Sequence, residues 1–413
     1  MEARWPSATV RDVTLRITKG TTPTTAGGSF TEQGVAFVKV ESISDEGKVI
    51  REKLAHIDVL THERQRRSML QSEDILFTIA GTIGRVAKVS PDMLPANTNQ
   101  AVAIVRPDRS LISPRFLYYV LRDRDRVRHA RSRVVQSVQA NFSLAELSGV
   151  EIPLPALAEQ RAIAHVLGAL DDKIELNRSM SETLEQIART LFQAWFIDFD
   201  GVEEFAEDGG MLRPAGWGVH ALDQIADFLN GAACQRFPVA ADQPWLPVVK
   251  IRELHQGITD RSSSVAASIP RKWHVADGDV LFSWSGTLMV RIWTGGPAAL
   301  NQHLFKVTSE DFPKWFYLRW VLHHLNAFQG VAADKATTMG HIKRHHLSDA
   351  LCVVPPRRVM AQLDSTFGPL LARQTACEVG SKTLAAIRDA LLPKLISGDL
   401  RIPDAERIVS EVT

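Results

Sequence analysis

Two stretches of the chain repeat apolar residues at the spacing of a long amphipathic helix. The first runs from Pro153 to Asp200, and no proline interrupts it between Pro155 and Phe196. Because proline bars a helix from extending upstream, the helix is predicted to begin just after Pro155. A heptad starting at Ile163 puts apolar residues at most of its first and fourth positions, as in a coiled-coil seam. These positions are Ile163, Leu170, Asn177, Leu184 and Leu191, and Leu167, Ile174, Ser181, Ala188 and Trp195.

The second stretch follows Pro355 and Pro356, ends near Ser397 and Gly398, and repeats the seam 200 residues later. A single helix cannot bury such a seam, so the two helices are predicted to pair in antiparallel fashion. Asn177 is expected to fix the register, and Pro393 to kink or fray the last turn. The alternative is two ordinary long core helices. The repeated positions are Leu363, Leu370, Cys377, Leu384, Leu391, Phe367, Gln374, Ser381 and Leu395, with Arg388 as the exception.

Short apolar runs outside these helices predict strands, and the same runs occur twice in the same order. Asp74 to Val89 is typical of a strand, a glycine turn and a second strand, and Asp279 to Phe282 with Gly286 repeats its beginning. The predicted fold class is α+β: two similar α/β domains joined by two long helices in an antiparallel coiled coil, with internal pseudo-two-fold symmetry. The predicted segments are a first domain (1–152), the first long helix (153–200), an acidic, exposed linker (201–216), a second domain (217–354) and the second long helix with a tail (355–413).

Composition narrows the class of protein without identifying it. The 413 residues are 45% apolar and 23% charged, as in a soluble globular protein. No apolar run is long enough to span a membrane, and the N-terminus lacks the apolar core of a signal peptide. Three scattered cysteines, Cys234, Cys352 and Cys377, argue against a disulfide framework and favour the cytoplasm. The net charge of +1 means that any nucleic-acid binding depends on local charge.

Several motifs together resemble the specificity subunits of type I restriction–modification systems. The segment IPLPALAEQRAIAHVLGALDDKI, ending in LFQAWFIDFD, resembles their conserved central region, and VPPRRVMAQLDSTFGPLL to LLPKLISGDL resembles their distal one. DILFTIAGTIGRVA, DVLFSWSGTL and the two Asn-Gln pairs (Asn99-Gln100, Asn301-Gln302) resemble conserved strands of their target-recognition domains. The resemblance covers nearly the whole chain.

This resemblance implies a non-catalytic subunit that reads a split target in double-stranded DNA, one half-site per recognition domain. It further implies that the paired helices set the spacing of the half-sites and bind two modification (methyltransferase) subunits. A restriction/translocase subunit would join for cleavage. No cofactor is expected on this chain, while S-adenosylmethionine and ATP are expected on the partner subunits.

Residues suited to DNA contact occur in predicted loops of both domains. Phosphates attract cations, and base edges are read by forked donors and amides. The span Arg106 to Arg133 holds nine arginines against three aspartates, although a salt-bridged helix face would give the same pattern. Recurring Asn99, Gln100, Asn301 and Gln302 are expected to be structural. The candidates are Lys19, Thr21, Thr22, Lys39, Ser42, Thr82, Arg85, Gln136, Ser137, Gln139, Asn141, Gln235, Arg236, Lys250, Arg252, Ser285, Arg291, Lys335, Thr337, Thr338, His341, Lys343 and Arg344.

The apolar, aromatic end of the first helix is a candidate partner-binding surface, with packing on the chain's own domain as the alternative. Its residues are Leu191, Phe192, Trp195, Phe196 and Phe199.

Signals of catalysis are lacking in the sequence. There is no phosphate-binding GxxxxGK[ST] loop, no dinucleotide fingerprint and no adenine-methylase tetrapeptide. The string Pro107-Asp108 with Asp171-Asp172-Lys173 resembles a nuclease pattern, but the latter part lies in the predicted coiled coil. His341 and His345 have metal-ligand spacing, yet Lys343 and Arg344 beside them oppose a cation, so no metal site is predicted.

Two other functional classes remain open. The chain could be a two-headed coiled-coil scaffold or adaptor that binds proteins and has no DNA readout. The specificity half of a fused nuclease–methylase is disfavoured, because no catalytic motif occurs in the sequence.

Overall fold

The computed structural model describes residues 5–123, 125–128, 142–208, 211–333 and 340–411. It consists of two compact units, Met1–Lys173 with Leu384–Thr413, and Ile174–Thr383. Each unit therefore holds one α/β domain and a part of each long helix. In the part of the chain described, no helix is both long and apolar enough to cross a membrane.

The strands of the first domain form two four-stranded sheets and one short pair. The strands are β1 (Ser7–Thr9), β2 (Thr14–Lys19), β3 (Phe30–Thr31), β4 (Val35–Val38), β5 (Ala55–Ile57), β6 (Ile75–Thr78), β7 (Val86–Lys88), β8 (Ala96–Thr98), β9 (Val102–Pro107) and β10 (Glu151–Pro153), the last paired with β1. The main sheet has the order β2-β9-β6-β7 and is antiparallel, and the second sheet has the order β3-β5-β4-β8 with β4 and β8 parallel.

A two-stranded hairpin precedes the second domain. The predicted linker forms a hairpin of β11 (Phe205–Asp208) and β12 (Met211–Pro214), so this segment is more ordered than its acidic, glycine-rich sequence indicates. The strands after it are β13 (Gly218–Ala221), β14 (Asp227–Asn230), β15 (Trp245–Val249), β16 (Ser264–Ala266), β17 (His274–Val275), β18 (Val280–Ser283), β19 (Met289–Ile292), β20 (Ala298–Leu300), β21 (Leu304–Thr308) and β22 (Leu351–Val354).

The second domain repeats the main-sheet topology of the first. Its main sheet, β14-β21-β18-β19, matches β2-β9-β6-β7 strand for strand, and β15 and β20 are parallel as β4 and β8 are. The central strands β6 and β18 are fully buried at all four positions. An ion pair recurs at their starts, Asp74 with Arg106 (2.8 Å) and Asp279 with Lys306 (2.7 Å). The predicted duplication is confirmed by strand order, pairing direction and this shared ion pair.

Short helices complete the domains, and two long helices join them. The short helices lie mostly at strand ends, where Asp58 and Ser143 cap their helices by accepting hydrogen bonds from backbone N–H groups. The helices are Val59–Arg64, Pro114–Arg122 and Leu144–Ser148; Leu222–Ile225, Ile251–Gln256, Lys314–Ala333 and Arg344–Asp349; the first long helix, Leu157–Phe192; the second long helix, Arg357–Ser397; and Ile402–Ser410.

The long helices pair in antiparallel fashion within each unit, as predicted. In the first unit, Asp171 of the first helix bonds Arg388 of the second (2.6 Å). In the second unit, Ser181 donates to Glu378 (3.3 Å), and Gln374 donates to Glu185 (3.3 Å). Partner numbers fall along the second helix as they rise along the first, which requires opposite directions. The ion pair with Asp171 explains why Arg388 departs from the apolar seam.

The ends of the helices differ in part from expectation. The first helix passes into a single π turn at Gln193–Ile197. The second ends at Ser397, where Gly398 adopts a left-handed φ of 79°. Pro393 does not end the helix early, since the helix continues for another turn beyond it. Asn177 is buried with its amide nitrogen next to Gly380 of the second long helix.

Candidate nucleic-acid interface

In each domain, one edge brings together the carboxyl ends of two strands from each four-stranded sheet. These strands are β2, β6, β4 and β8 in the first domain and β14, β18, β15 and β20 in the second. In the first domain β2 and β6 are both antiparallel to β9, so their carboxyl ends point the same way. The short connection from β8 to β9 joins the two sheets at this edge. Thr21 donates its backbone N–H to Thr98 O (3.0 Å), and Ile79 donates to Ala101 O (2.8 Å). We call this surface the loop edge.

The second domain builds its loop edge with the same backbone contacts. Ala232 N–H donates to Leu300 O (3.0 Å), and Ile342 N–H donates to Trp284 O (3.1 Å). The latter bond matches the one from Phe142 N–H to Ile79 O (2.8 Å) in the first domain. The two edges therefore share a backbone frame on which different side chains are displayed.

Glycine is required where the loops cross. A Cβ atom on Gly20 would lie 1.9 Å from Thr98 O, and one on Gly231 would lie 2.2 Å from Asn301 O. No side chain fits at such distances. Asn99 and Asn301 each accept a backbone N–H two residues later, from Ala101 (3.1 Å) and His303 (3.3 Å). The recurring asparagines thus shape this loop, which fits the structural role expected of them.

The candidates of the first domain divide by their exposure. Lys19 and Thr82 are exposed, while Thr21, Thr22 and Lys39 are half-buried, with Thr22 bonded to Gln100. Lys39 lies over the Phe30 ring at 4.5 Å.

Two candidates of the first domain have structural roles instead. Ser42 is fully buried and donates to Lys53 O (2.7 Å), so it is wrong as a DNA contact. Arg85 is half-buried and is held by a fork to Asp45 (2.9 and 3.2 Å) and by Ile43 O (3.0 Å). The guanidinium of Arg85 is therefore already used within the domain.

The second domain exposes more of its candidates. His341 is half-buried, Lys250 donates to Ser263 (2.7 Å), and Arg252 pairs with buried Glu253 (2.6 Å). Ser285 is buried and bonds His303 Nδ1 (3.1 Å), so it too is wrong as a base-reading residue. The exposed candidates are Gln235, Arg236, Lys250, Arg252, Arg291, Lys343 and Arg344.

Seven candidates lie outside the described residues. They are Gln136, Ser137, Gln139, Asn141, Lys335, Thr337 and Thr338.

The arginine-rich span is largely paired with acidic residues. Arg106 bonds Asp74, Arg122 bonds Asp171 (3.3 Å), and Arg115 bonds Asp172 (2.9 Å). Arg126 and Arg128 pair with aspartates three positions before them. Among the described residues of this span, the arginines mostly form ion pairs within the domain or with the first long helix. This favours the alternative of a salt-bridged helix face.

Buried polar contacts attach the first domain to both long helices. Tyr119 donates to Asp171 (2.6 Å), and Arg388 bonds the other oxygen of that carboxylate. Burial and the Asp171 charge raise the pKa of Tyr119, so its hydroxyl remains a donor. Burial alone would lower the pKa of Arg388, but Asp171 and Asp389 outweigh it and raise that pKa.

The second domain uses a different pair for the same purpose. Arg319 makes two bonds to Glu185 of the first long helix, at 2.6 and 2.7 Å. Trp315 donates to Asp364 of the second long helix (2.8 Å). Both domains are therefore fixed to the helices by polar groups near their interface.

The predicted partner-binding surface is mostly internal. Phe196 is 1% exposed and Phe192 is 5% exposed, within an aromatic cluster of the second unit. The Phe196 ring lies 5.5 Å from Trp217 and 5.7 Å from Phe316. The prediction that Phe192 and Phe196 bind a partner is thus wrong, because the second domain covers both side chains. For the partly buried Leu191, Trp195 and Phe199, partner binding stays a prediction.

Several residues of the second loop edge were not among the candidates selected from the sequence. Asn230, Trp273, Trp284 and His303 lie there, with Trp284 between Phe305 (5.8 Å) and His303 (6.1 Å). Asn230 aligns with the selected Lys19 and could have been found from the repeat.

The fold and this duplicated edge define a protein of two similar recognition domains on paired helices. A family model described as the type I restriction modification DNA specificity domain matches residues 5–186. The chain is therefore similar to type I restriction–modification specificity subunits.

Relatives and a solved structure agree over most of the chain. The type I restriction enzyme MjaIX specificity subunit of Methanocaldococcus jannaschii is 28% identical over 80% of this chain and 78% of its own. The HindI specificity subunit of Haemophilus influenzae is 22% identical over 86% of this chain and 93% of its own. The S subunit of a type I system from M. genitalium shares the fold, with a TM-score of 0.56, 14% identity and 96% coverage of both chains.

Proposed function

We propose that this chain is the DNA specificity subunit of a type I restriction–modification complex and recognises a bipartite target, one half-site per recognition domain. The observation that supports this most is the duplicated loop edge. Its backbone frame recurs in both domains, while the residues displayed on it differ. Two readers of different half-sites need this combination, because the frame positions the loops and the side chains select the bases.

The exposed chemistry of the second edge suits a DNA major groove. Arg236, Lys343 and Arg344 can meet phosphates or guanine, and Gln235 offers an amide for adenine. Arg291 lies in β19 opposite Leu281, away from this edge. In the first edge, Lys19 and Thr82 are exposed in the equivalent region.

The same proposal assigns catalysis to other subunits. Two modification subunits that use S-adenosylmethionine would dock on this chain, and a translocase subunit that uses ATP would join them. The chain itself would be non-catalytic. Its three cysteines are buried free thiols, which fits work in the reducing cytoplasm.

Binding should depend steeply on salt and on sequence. The complex with the modification subunits is titrated with a duplex carrying both half-sites, and with scrambled DNA, at several salt concentrations. Each phosphate contact should contribute about 0.9 to the slope of log affinity against log salt, and the specific duplex should remain about 10³-fold or more tighter. Binding that ignores both salt and sequence would support the two-headed protein scaffold instead.

Lengthening both long helices should lengthen the permitted gap between half-sites. One heptad inserted into each helix beside Asn177 and Gly380, which face each other, adds about 10 Å. That length corresponds to about three base pairs of DNA. Methylation should therefore shift to targets whose half-sites are about three base pairs further apart. A heptad inserted into one helix alone serves as the control and should break the pairing. An unchanged gap preference with both helices extended would contradict the proposed spacing role.

A further inference from the structure

Asn230 occupies a special position on the second loop edge. It is the last residue of β14, as Lys19 is the last residue of β2 in the first domain. Each is followed by the glycine that packs against the β8–β9 connection or its counterpart, Gly20 or Gly231. Both side chains are exposed. The scaffold therefore presents one side chain at the same place in each domain, and the two differ in chemistry.

Two tryptophans hold Asn230 in place. The indole N–H of Trp284 donates to Asn230 Oδ1 (3.2 Å), and that of Trp273 donates to its backbone oxygen (3.1 Å). An indole N–H can only donate, so the amide oxygen must face Trp284. Trp284 is itself fixed, since its ring packs near Phe305 and its carbonyl accepts from Ile342.

This arrangement leaves the amide nitrogen as the group available to a ligand. Within the described part of the chain, Asn230 Nδ2 makes no hydrogen bond. An asparagine that binds adenine presents both Oδ1 and Nδ2 to N6 and N7, whereas here one lone pair of Oδ1 accepts from Trp284 and fixes the direction of the amide. The two N–H groups on Asn230 Nδ2 are donors only, and so is the ammonium group of Lys19. Acceptors on a base edge, above all O6 and N7 of guanine, match such donors.

We propose that Asn230 is a specificity-determining residue that donates from Nδ2 to an acceptor in the major groove of the second half-site. Trp284 is its positioning residue, and Lys19 takes the equivalent place toward the first half-site. The inference rests on the proposed function and names one reading position in each domain. Pre-organisation by the Trp284 indole supports it, because a side chain held in one rotamer loses little freedom on binding.

The test uses the complete complex with its modification subunits and duplexes randomised one base pair at a time in both half-sites. Asn230→Asp keeps an acceptor for Trp284 but removes the donors, so discrimination at one base pair of the second half-site should fall about 10-fold. Trp284→Phe keeps the ring and removes the indole N–H, and it should relax the same base pair by less. Lys19→Ala is the matched variant and should alter the first half-site only.

The possible outcomes distinguish a failure of this inference from a failure of the proposed function. If the wild-type complex selects a split target and Asn230→Asp keeps the wild-type base profile at every position, the inference is overturned and the function stands. A uniform loss of affinity with an unchanged base preference at every position would also overturn it, because the added charge of aspartate would then act only on the phosphates. A wild-type complex without any base preference would remove the proposed function itself. Thermal unfolding of each variant verifies that the fold is intact.

Discussion

Replacing Asp171 with alanine is expected to lower the free energy of unfolding by about 3–5 kcal/mol. The carboxylate accepts from Tyr119 and Arg122 of the first domain and from Arg388 of the second long helix. The Arg122 and Arg388 side chains are only 10% and 8% exposed. Without Asp171 the Arg388 charge would keep only the exposed carboxylate of Asp389, and Arg122 only the Tyr118 hydroxyl. Leaving buried charges without their main partner costs far more than an ion pair contributes at the surface. Denaturant unfolding of the full chain measures the loss.

The neighbouring residue supplies the matched control. Asp172 pairs with Arg115, but its side chain is 70% exposed and that of Arg115 is 36% exposed. Water and salt screen such a pair, so Asp172→Ala should cost at most about 1 kcal/mol. Equal losses for the two variants would contradict the central role given to Asp171 in joining the domain to both helices.

Replacing Phe196 with alanine should cost about 3–5 kcal/mol of stability, because the ring is part of the second unit's core. It is 1% exposed, stacks on Phe192 at 4.9 Å and contacts Trp217, Trp315 and Phe316. Truncation would leave a cavity that rigid aromatic neighbours cannot fill. Denaturant unfolding followed by tryptophan fluorescence reports the change, since Trp217 and Trp315 lie beside the ring.

Two further variants separate packing from docking at this helix end. Phe196→Leu retains most of the volume and should lose clearly less stability than Phe196→Ala. Phe199→Ala removes a half-buried ring and should leave the fold largely intact. Co-purification with the modification subunits is then measured for each. A Phe196→Ala variant with wild-type stability that fails to bind those subunits would contradict the structural role and restore the docking hypothesis.

The overall architecture could be predicted because it depends on patterns that repeat. Heptad spacing in two stretches predicted the paired long helices, and ordered strands at matching intervals predicted the duplicated domain. Antiparallel pairing followed from symmetry and is confirmed by Asp171–Arg388 and Glu185–Gln374. Such patterns are visible in a sequence because burial selects the same residue type at regular positions.

Individual site residues were harder to predict, since residue type does not reveal what a side chain contacts. Ser42 and Ser285 are suitable in type but are buried in hydrogen bonds, and Arg85 is bound to Asp45. The aromatic end of the first helix looks unpaired in sequence, whereas distant Trp217 and Phe316 cover it. These contacts are tertiary, so no local pattern records them.

Mapping methylated bases in the source genome, with this gene present and with residues 217–354 replaced by those of a relative, tests the central claim most directly. The account predicts a methylated motif in two specific halves separated by unspecified base pairs, and replacement of the second domain should change one half only. A continuous motif, no motif that depends on this gene, or a replacement that alters both halves would contradict it.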